Sequence, residues 1–307
     1  MEGQAKNKGD YPLPHKGSGG RVFYGLLGYP LGHSFSRAFF NDKFAREGIN
    51  AEYLNFELPS ADLLPQVIEE HPTLCGLNVT IPHKQAVIPF LDEISEEARL
   101  IGAVNVIRIK RYEDSCKPYI LKGFNSDIIG FTDSIRPLLQ PHHRKALVLG
   151  TGGASKAICV GLEKLGIEWR YVSRQHPSHP AVPSSSIPSP TAAVPPSSIP
   201  SPTAAVPAPS GAVAPPLTYA ALTPALLAEY TVIVNCTPLG MFPKVDACPD
   251  IPYDALTPQH LLYDLVYNPE ETLFLKRGRE HGATVKGGLE MLHRQALASW
   301  DFWNSKD

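Results

Sequence analysis

The stretch VLGTGGASKA, beginning at Val148, constrains this chain more than any other. An apolar run, KALVL, enters a glycine turn, and Ala154, Ile158, Leu162 and Leu165 then recur on one helical face. Strand, tight turn and amphipathic helix in that order open a parallel α/β unit. The unit begins at mid-chain, so the residues before it need a core of their own. A length of 307 residues with 43% hydrophobic content suffices for two.

The turn itself suggests a ligand. Gly150 and Gly152 fit the first two glycines of a dinucleotide fingerprint, and Ser155 stands at the third. Gly150 permits the tight turn, Gly152 lets a pyrophosphate approach the backbone, and a helix from Gly153 and Ala154 presents free N–H groups. The same pattern also occurs in turns that hold nothing. The next strand ends YVSRQ, where an NAD site usually carries an acid. Ser173 and Arg174 stand there instead. A guanidinium matches a 2′-phosphate, so NADP(H) is the expected cofactor. The alternative is that Arg174 is a solvated strand end.

Before the glycine turn, VFYGLLG, AEYLNFEL, CGLNVTI, AVNVIRIK and YILKGFN read as strands, and SRAFFNDKFAREG reads as a helix closed by Gly48. After it, WRYVSR, YTVIVNCT, LLYDLV and ATVK supply further strands, and GLEMLHRQALASWDFW is a closing helix. The expected fold is α/β with two domains, each on a mostly parallel sheet, the second of Rossmann type. The expected boundaries are a disordered tail over 1–20, a substrate domain over 21–127 plus 287–307, and a nucleotide domain over 128–286. From 176 to 216 proline, serine and alanine dominate, and SSIPSPTAAVP occurs at Ser185 and again at Ser197. Dense proline excludes helix and sheet interior, so this is expected to be a flexible insertion.

Net charge is −2, without the clustered basic excess that a nucleic-acid or membrane partner would need. No apolar run is long enough to span a membrane, and the first residues lack a secretory pattern. The five cysteines, with no C-x-x-C pair, fit reduced thiols in a cytoplasmic protein. No metal site is expected, since His33, His83 and the pair at His142 lack partners at ligand spacing.

Four further stretches sit at strand-to-loop edges, where open α/β sheets bind ligands: GYPLGHSFSRAFFN at Gly28, GLNVTIPHK at Gly76, IGAVNVI at Ile101 and GFNSDIIGF at Gly123. Taken singly, their polar residues have ordinary readings. Lys84 could be a solvated lysine at a helix start, Asp127 an N-cap for IIGFTDSI, Ser34 and Ser36 caps for RAFFNDKF, and Gln295 a surface position. In order along the chain, with the glycine turn, NCTPLGM at Asn235, YDLVYNP at Tyr263 and GGLEMLHRQA at Gly287, they resemble the shikimate dehydrogenase family. The resemblance runs from about Val22 to Trp303, the proline-rich segment excepted.

The resemblance implies a first domain that holds shikimate, a second that holds NADP(H), and a final helix returning to the first. It implies Ser34 and Ser36 as carboxylate ligands, and Thr80, Asn105, Asp127 and Gln295 as ligands of the ring hydroxyls. Asn78 adds polar support, and Tyr267 stands near the carboxylate. Lys84 and Asp127 match the catalytic pair. Gly150, Gly152, Gly153, Ala154, Ser173, Arg174, Thr237, Leu265 and Gly288 fall in the cofactor set. Arg37 replaces the proline that commonly follows the second serine. The implied reaction is reversible reduction of 3-dehydroshikimate to shikimate, on the way to chorismate and the aromatic amino acids, by a monomer or homodimer. A quinate dehydrogenase using NAD(H), or a non-catalytic nucleotide-binding regulator, remains as an alternative.

Overall fold

A computed structural model describes residues 20–32, 35–112, 118–174 and 215–305. The tail expected over 1–20 lies outside these residues except for Gly20, and the insertion expected over 176–216 lies outside them except for its last two residues.

The first sheet holds β1 (Val22–Gly28), β2 (Ala51–Glu57), β3 (Leu74–Val79), β4 (Glu93–Ile94), β5 (Val106–Arg111) and β6 (Tyr119–Phe124), in the order β2-β1-β3-β5-β6-β4. Its pairings are parallel except for the antiparallel β3–β5 and β5–β6. Helices α1 (Phe35–Glu47), α2 (Leu64–Glu70), α3 (Glu96–Ile101) and α4 (Asp127–Ile135) accompany it. The second sheet holds β7 (Lys145–Leu149), β8 (Glu168–Ser173), β9 (Leu217–Thr218), β10 (Val232–Asn235), β11 (Leu261–Asp264) and β12 (Thr284–Lys286). Its order is β12-β11-β10-β7-β8-β9, parallel throughout. Helices α5 (Gly153–Lys164), α6 (Pro224–Glu229) and α7 (Leu273–Glu280) accompany it, and α8 (Leu289–Asn304) closes the chain.

Alternation along β7 explains the layering. Ala146 and Val148 face a core shared with Ile158 and Leu162 of α5, while Leu147 and Leu149 face a core shared with Phe274 and Leu275 of α7. Helix α8 crosses back to the first sheet. Trp300 and Trp303 join Tyr24, Phe40, Phe44 and Tyr53 in one aromatic core, and Trp303 Nε1 donates to Ile107 O at 3.1 Å. Helix α4 lies between the sheets, with Phe131 and Ile135 in the core against β7 and β10.

Each sheet has a point where strand order reverses, because β1 lies between β2 and β3 and β7 lies between β8 and β10. Crevices open at the carboxyl ends of such strands. GYPLGHSFS follows β1, and the glycine turn follows β7.

Several local expectations give way. Residues 81–87 form successive turns rather than a helix start. Ser126, not Asp127, stands at the N-cap of α4 and makes no side-chain cap there, and Asp127 is the first helical residue. Ser36 lies inside α1, one residue past its start, so it does not cap that helix. AVNVIRIK becomes a strand only from Val106. The two-residue edge strands β4 and β9 and the short helices α2 and α3 carry too little periodicity to be read beforehand.

Candidate active site

A cavity of about 330 Å3 opens between the two sheets. Ser36, Asn78, Thr80, Lys84, Asn105, Asp127, Tyr267 and Gln295 line it, together with Ala154, Leu265 and Gly288 from the expected cofactor set. Ser34 lies outside the described residues. Gly150, Gly152, Gly153, Ser173, Arg174 and Thr237 stand away from this cavity.

The lysine reaches it from the turn after β3. That turn is pinned by contacts distant in sequence. Thr80 N donates to Leu27 O at 2.8 Å, and Val104 N donates to Lys84 O at 2.7 Å. His83, 2% exposed, sits 2.7 Å by Nε2 from Leu58 O, and since a carbonyl only accepts, that nitrogen carries the proton. Lys84 Nζ then meets Asp127 Oδ2 at 2.6 Å, with side chains 15% and 10% exposed. A pair so far removed from water needs its remaining lone pairs satisfied. Asn105 Nδ2 donates to Asp127 Oδ1 at 2.9 Å, and the Asp127 N–H donates to Asn125 Oδ1 at 3.1 Å. A lysine and a carboxylate are therefore held together at the wall of a cavity of mixed polar and apolar lining, a suitable place for proton transfer to a bound oxygen.

Around the pair runs a set of neutral groups. Tyr53 Oη donates to Asn78 Oδ1 at 2.8 Å, and Asn78 Nδ2 donates to Ser299 Oγ at 2.8 Å. Ser126 Oγ accepts from Asn105 Nδ2 at 3.0 Å and lies 3.2 Å from Gln295 Oε1. Burial of the Tyr53 ring pushes its hydroxyl well above the usual tyrosine range. Tyr53, Ser126 and Ser299 escaped the sequence reading. The serines carry no signal there, since one precedes an apparent cap and the other looks like any helical serine.

Of the expected cofactor residues, Gly150 and Thr237 meet beyond β7. Gly150 has φ +94°, and a Cβ there would meet Thr237 Cγ2 at 2.8 Å, so both conformation and space require glycine. Nothing lies within 4 Å of a Cβ built on Gly152 or Gly153. The Gly152 N-cap supplies no side chain to the first turn of α5, though the Ser155 N–H there donates to Gly152 O at 3.1 Å. Ser155, 0% exposed, turns inward and donates to Gly152 O at 2.7 Å. Arg174 is exposed just past β8 and acts electrostatically on Tyr219. These features fit a dinucleotide. Gly288 has a different reason to be glycine, since a Cβ there would run into the Leu265 carbonyl.

Thr237 and Leu265 are held by a buried network that the sequence did not reveal. Asn235 and Asp264 are paired across β10 and β11, and both are 0% exposed. Asp264 Oδ1 accepts from Asn235 Nδ2 at 2.9 Å and from Val266 N at 3.0 Å, and Oδ2 accepts from Thr272 Oγ1 at 2.6 Å. Asn235 Oδ1 in turn accepts from Thr237 Oγ1 at 2.7 Å. Burial raises the Asp264 carboxyl to about 6, against the pull of these hydrogen bonds. Among the described residues no group of three His, Cys, Asp or Glu could hold a metal ion, and no helix is long and apolar enough to cross a membrane.

Residues 26–107 match the sequence profile of the shikimate dehydrogenase substrate binding domain. The shikimate dehydrogenase (NADP(+)) of Desulforamulus reducens is 35% identical, over 91% of this chain and 88% of that protein. Among solved structures, a chorismate mutase/shikimate 5-dehydrogenase fusion protein from Clostridium acetobutylicum superposes with a TM-score of 0.71 at 32% identity, covering 93% of this chain and 92% of that one. Shikimate 5-dehydrogenase from Thermus thermophilus, solved with NADP(H) and shikimate, gives 0.65 at 26% identity, with 92% and 93% covered. With two α/β sheets, a cavity between them walled by the Lys84–Asp127 pair and relatives that span nearly its whole length, the chain belongs to the shikimate dehydrogenase family.

Proposed function

We infer that this protein is an NADP(H)-dependent shikimate dehydrogenase, which reversibly reduces 3-dehydroshikimate to shikimate in the route to chorismate. One observation carries the reading: the Lys84–Asp127 pair, closed to 2.6 Å, at the wall of a cavity lined by amides and hydroxyls. Shikimate bears one carboxylate and three hydroxyls, so it needs many directed hydrogen bonds and little apolar area. Ser34 and Ser36, with Tyr267, hold the carboxylate end. Thr80, Asn105, Asp127 and Gln295 hold the hydroxyls, and Asn78 supports them from behind.

Lys84 moves the proton at the substrate oxygen, and Asp127 orients both the ammonium and a neighbouring hydroxyl. The turn at Gly150, Gly152 and Gly153, with Ala154, would hold the pyrophosphate. Ser173 and Arg174 would hold the 2′-phosphate, and Thr237, Leu265 and Gly288 would flank the nicotinamide. When bound, the nicotinamide supplies or accepts the hydride. Residues 21–127 with 287–307 form the substrate domain, and 128–286 form the nucleotide domain. The shared aromatic core of α1, β2 and α8 supports that division. The protein acts in the cytoplasm on a small molecule, as a monomer or homodimer.

The test is a set of initial rates with shikimate and quinate, each offered NADP+ and NAD+. Turnover of shikimate with preference for NADP+ is expected. Preference for quinate or NAD+ would assign a sibling activity to the same pair. Binding of NADPH without turnover of either acid would make the protein a regulator.

A further inference from the structure

We infer that Tyr53 and Ser299 are positioning residues for the substrate. With Asn78 between them they form one buried hydrogen-bonded row that sets Ser36 at one end of the cavity and Gln295 at the other. The inference rests on the shikimate reading for its substrate but not for its geometry.

The row can be followed atom by atom. The Ser36 hydroxyl hydrogen-bonds Tyr53. Tyr53 Oη donates to Asn78 Oδ1, and Asn78 Nδ2 donates to Ser299 Oγ, both at 2.8 Å. Both ends of the Asn78 carboxamide are thereby fixed, and the amide cannot flip without losing two bonds. Tyr53 and Ser299 are both 0% exposed, so water cannot replace either partner.

Proton counting at Ser299 explains the far end. Ser126 has one hydroxyl proton and three acceptors in reach: Ser299 Oγ at 3.1 Å, Gln295 Oε1 at 3.2 Å and Asn105 Oδ1 at 3.4 Å. Ser299 Oγ donates to Gln295 O at 2.8 Å, and Ser126 Oγ donates to Gln295 Oε1 at 3.2 Å. If Ser299 turns its proton to Ser126 instead, the Ser126 proton is left to Gln295 Oε1 or Asn105 Oδ1. Ser299 is therefore tied to the Gln295 carboxamide through Ser126, and its loss removes one hydroxyl partner of Ser126.

Tyr53→Phe and Ser299→Ala each remove one oxygen and leave the packing volume nearly intact. Each is expected to raise the KM for shikimate about tenfold, the equivalent of one lost hydrogen bond, with a smaller fall in kcat and unchanged NADPH affinity. Ser299→Thr keeps the hydroxyl and should restore KM to within about twofold of the parent. The double variant should fall short of the product of the singles, because one row is broken twice. Ligand-free crystals of the Ser299→Ala protein should show the Asn78 carboxamide turned and Gln295 moved relative to Ser126. Unchanged KM values, an equal loss of NADPH affinity, a multiplicative double variant, or unmoved carboxamides would overturn the inference. Failure of the parent protein on shikimate would sink the functional reading instead, and the carboxamide positions would still judge the row.

Discussion

At the end of β1 the polar groups that face the cavity, set among apolar ones such as Leu26, Phe35 and Met291, are side chains: hydroxyls, carboxamides and one ion pair. At the end of β7 the turn is glycine, with open space around the Cβ positions of Gly152 and Gly153 and the start of α5 behind it. Both crevices arise where strand order reverses, so topology alone does not separate them. The materials do. Side-chain groups can be placed one by one around a small polyol, but each must be held, and the buried bonds through Asn105, Asn78 and Ser299 do the holding. Backbone donors at a helix end are held by the helix itself. The first crevice should therefore be sensitive to losing single atoms, and the second to gaining them.

The largest effect expected on the side-chain crevice comes from Lys84→Ala. It removes the member of the 2.6 Å pair assigned to proton transfer. The fall in kcat should be about 10²–10⁴-fold, with NADPH affinity nearly unchanged in a fluorescence titration. Equal losses of turnover and nucleotide binding would mean that the two crevices are not separable.

Asp264 tests the support of the nucleotide crevice. Its pKa is raised from 3.8 to about 6 in the fold. A carboxyl raised on folding contributes stability that is full below its unfolded pKa and lost as pH rises through the folded value. Thermal or denaturant melts should thus show the parent losing up to about 3 kcal/mol relative to Asp264→Asn between pH 4 and pH 6. A constant gap across that window would mean that the carboxylate is fully compensated by Thr272, Asn235 and the Val266 N–H.

The two crevices also differ in how far they could be read from sequence. The glycine turn is local: strand, turn and helix occupy contiguous residues, and the structure places α5 over Gly153–Lys164 as the periodicity requires. The side-chain crevice is assembled from distant loops. Lys84 reads locally as a helix start because QAVIPF follows it. Only the contacts to Leu58 and Val104 turn that stretch into a pinned loop. Asp127 reads as a cap because an apolar helix follows, and its carboxylate turns instead to a lysine 43 residues earlier. The family resemblance recovered both residues, since order along the chain carries information that local pattern does not. It did not recover Ser299, Tyr53 or Asp264, whose partners become visible only when strands pair and α8 returns. NCTPLGM and YDLVYNP began on the right residues, but their meaning lies in the register that sets Asn235 against Asp264.

Gly150→Ala is the complementary test, an atom gained at the backbone crevice. The new methyl must sit at φ +94° and 2.8 Å from Thr237 Cγ2. The cost in stability should be about 1–3 kcal/mol, with weakened NADPH binding and an unchanged KM for shikimate at saturating cofactor. A weakened shikimate KM without a change in NADPH binding would reverse the assignment of the two crevices.

The smallest effect sharpens the identity of the nucleotide. Arg174 stands exposed past the end of β8, so any phosphate it meets is partly solvated and the bond is worth less than a buried one. Arg174→Gln should raise the KM for NADP+ about tenfold, the loss of one charge-assisted contact. The KM for NAD+, which has no 2′-phosphate, should stay within about twofold. The ratio of the two isolates the phosphate, because any general damage to the glycine turn raises both together. Equal rises would assign Arg174 to the support of the strand end. No rise in either would place the discrimination elsewhere, with Ser173, the last residue of β8, the next hydroxyl to substitute.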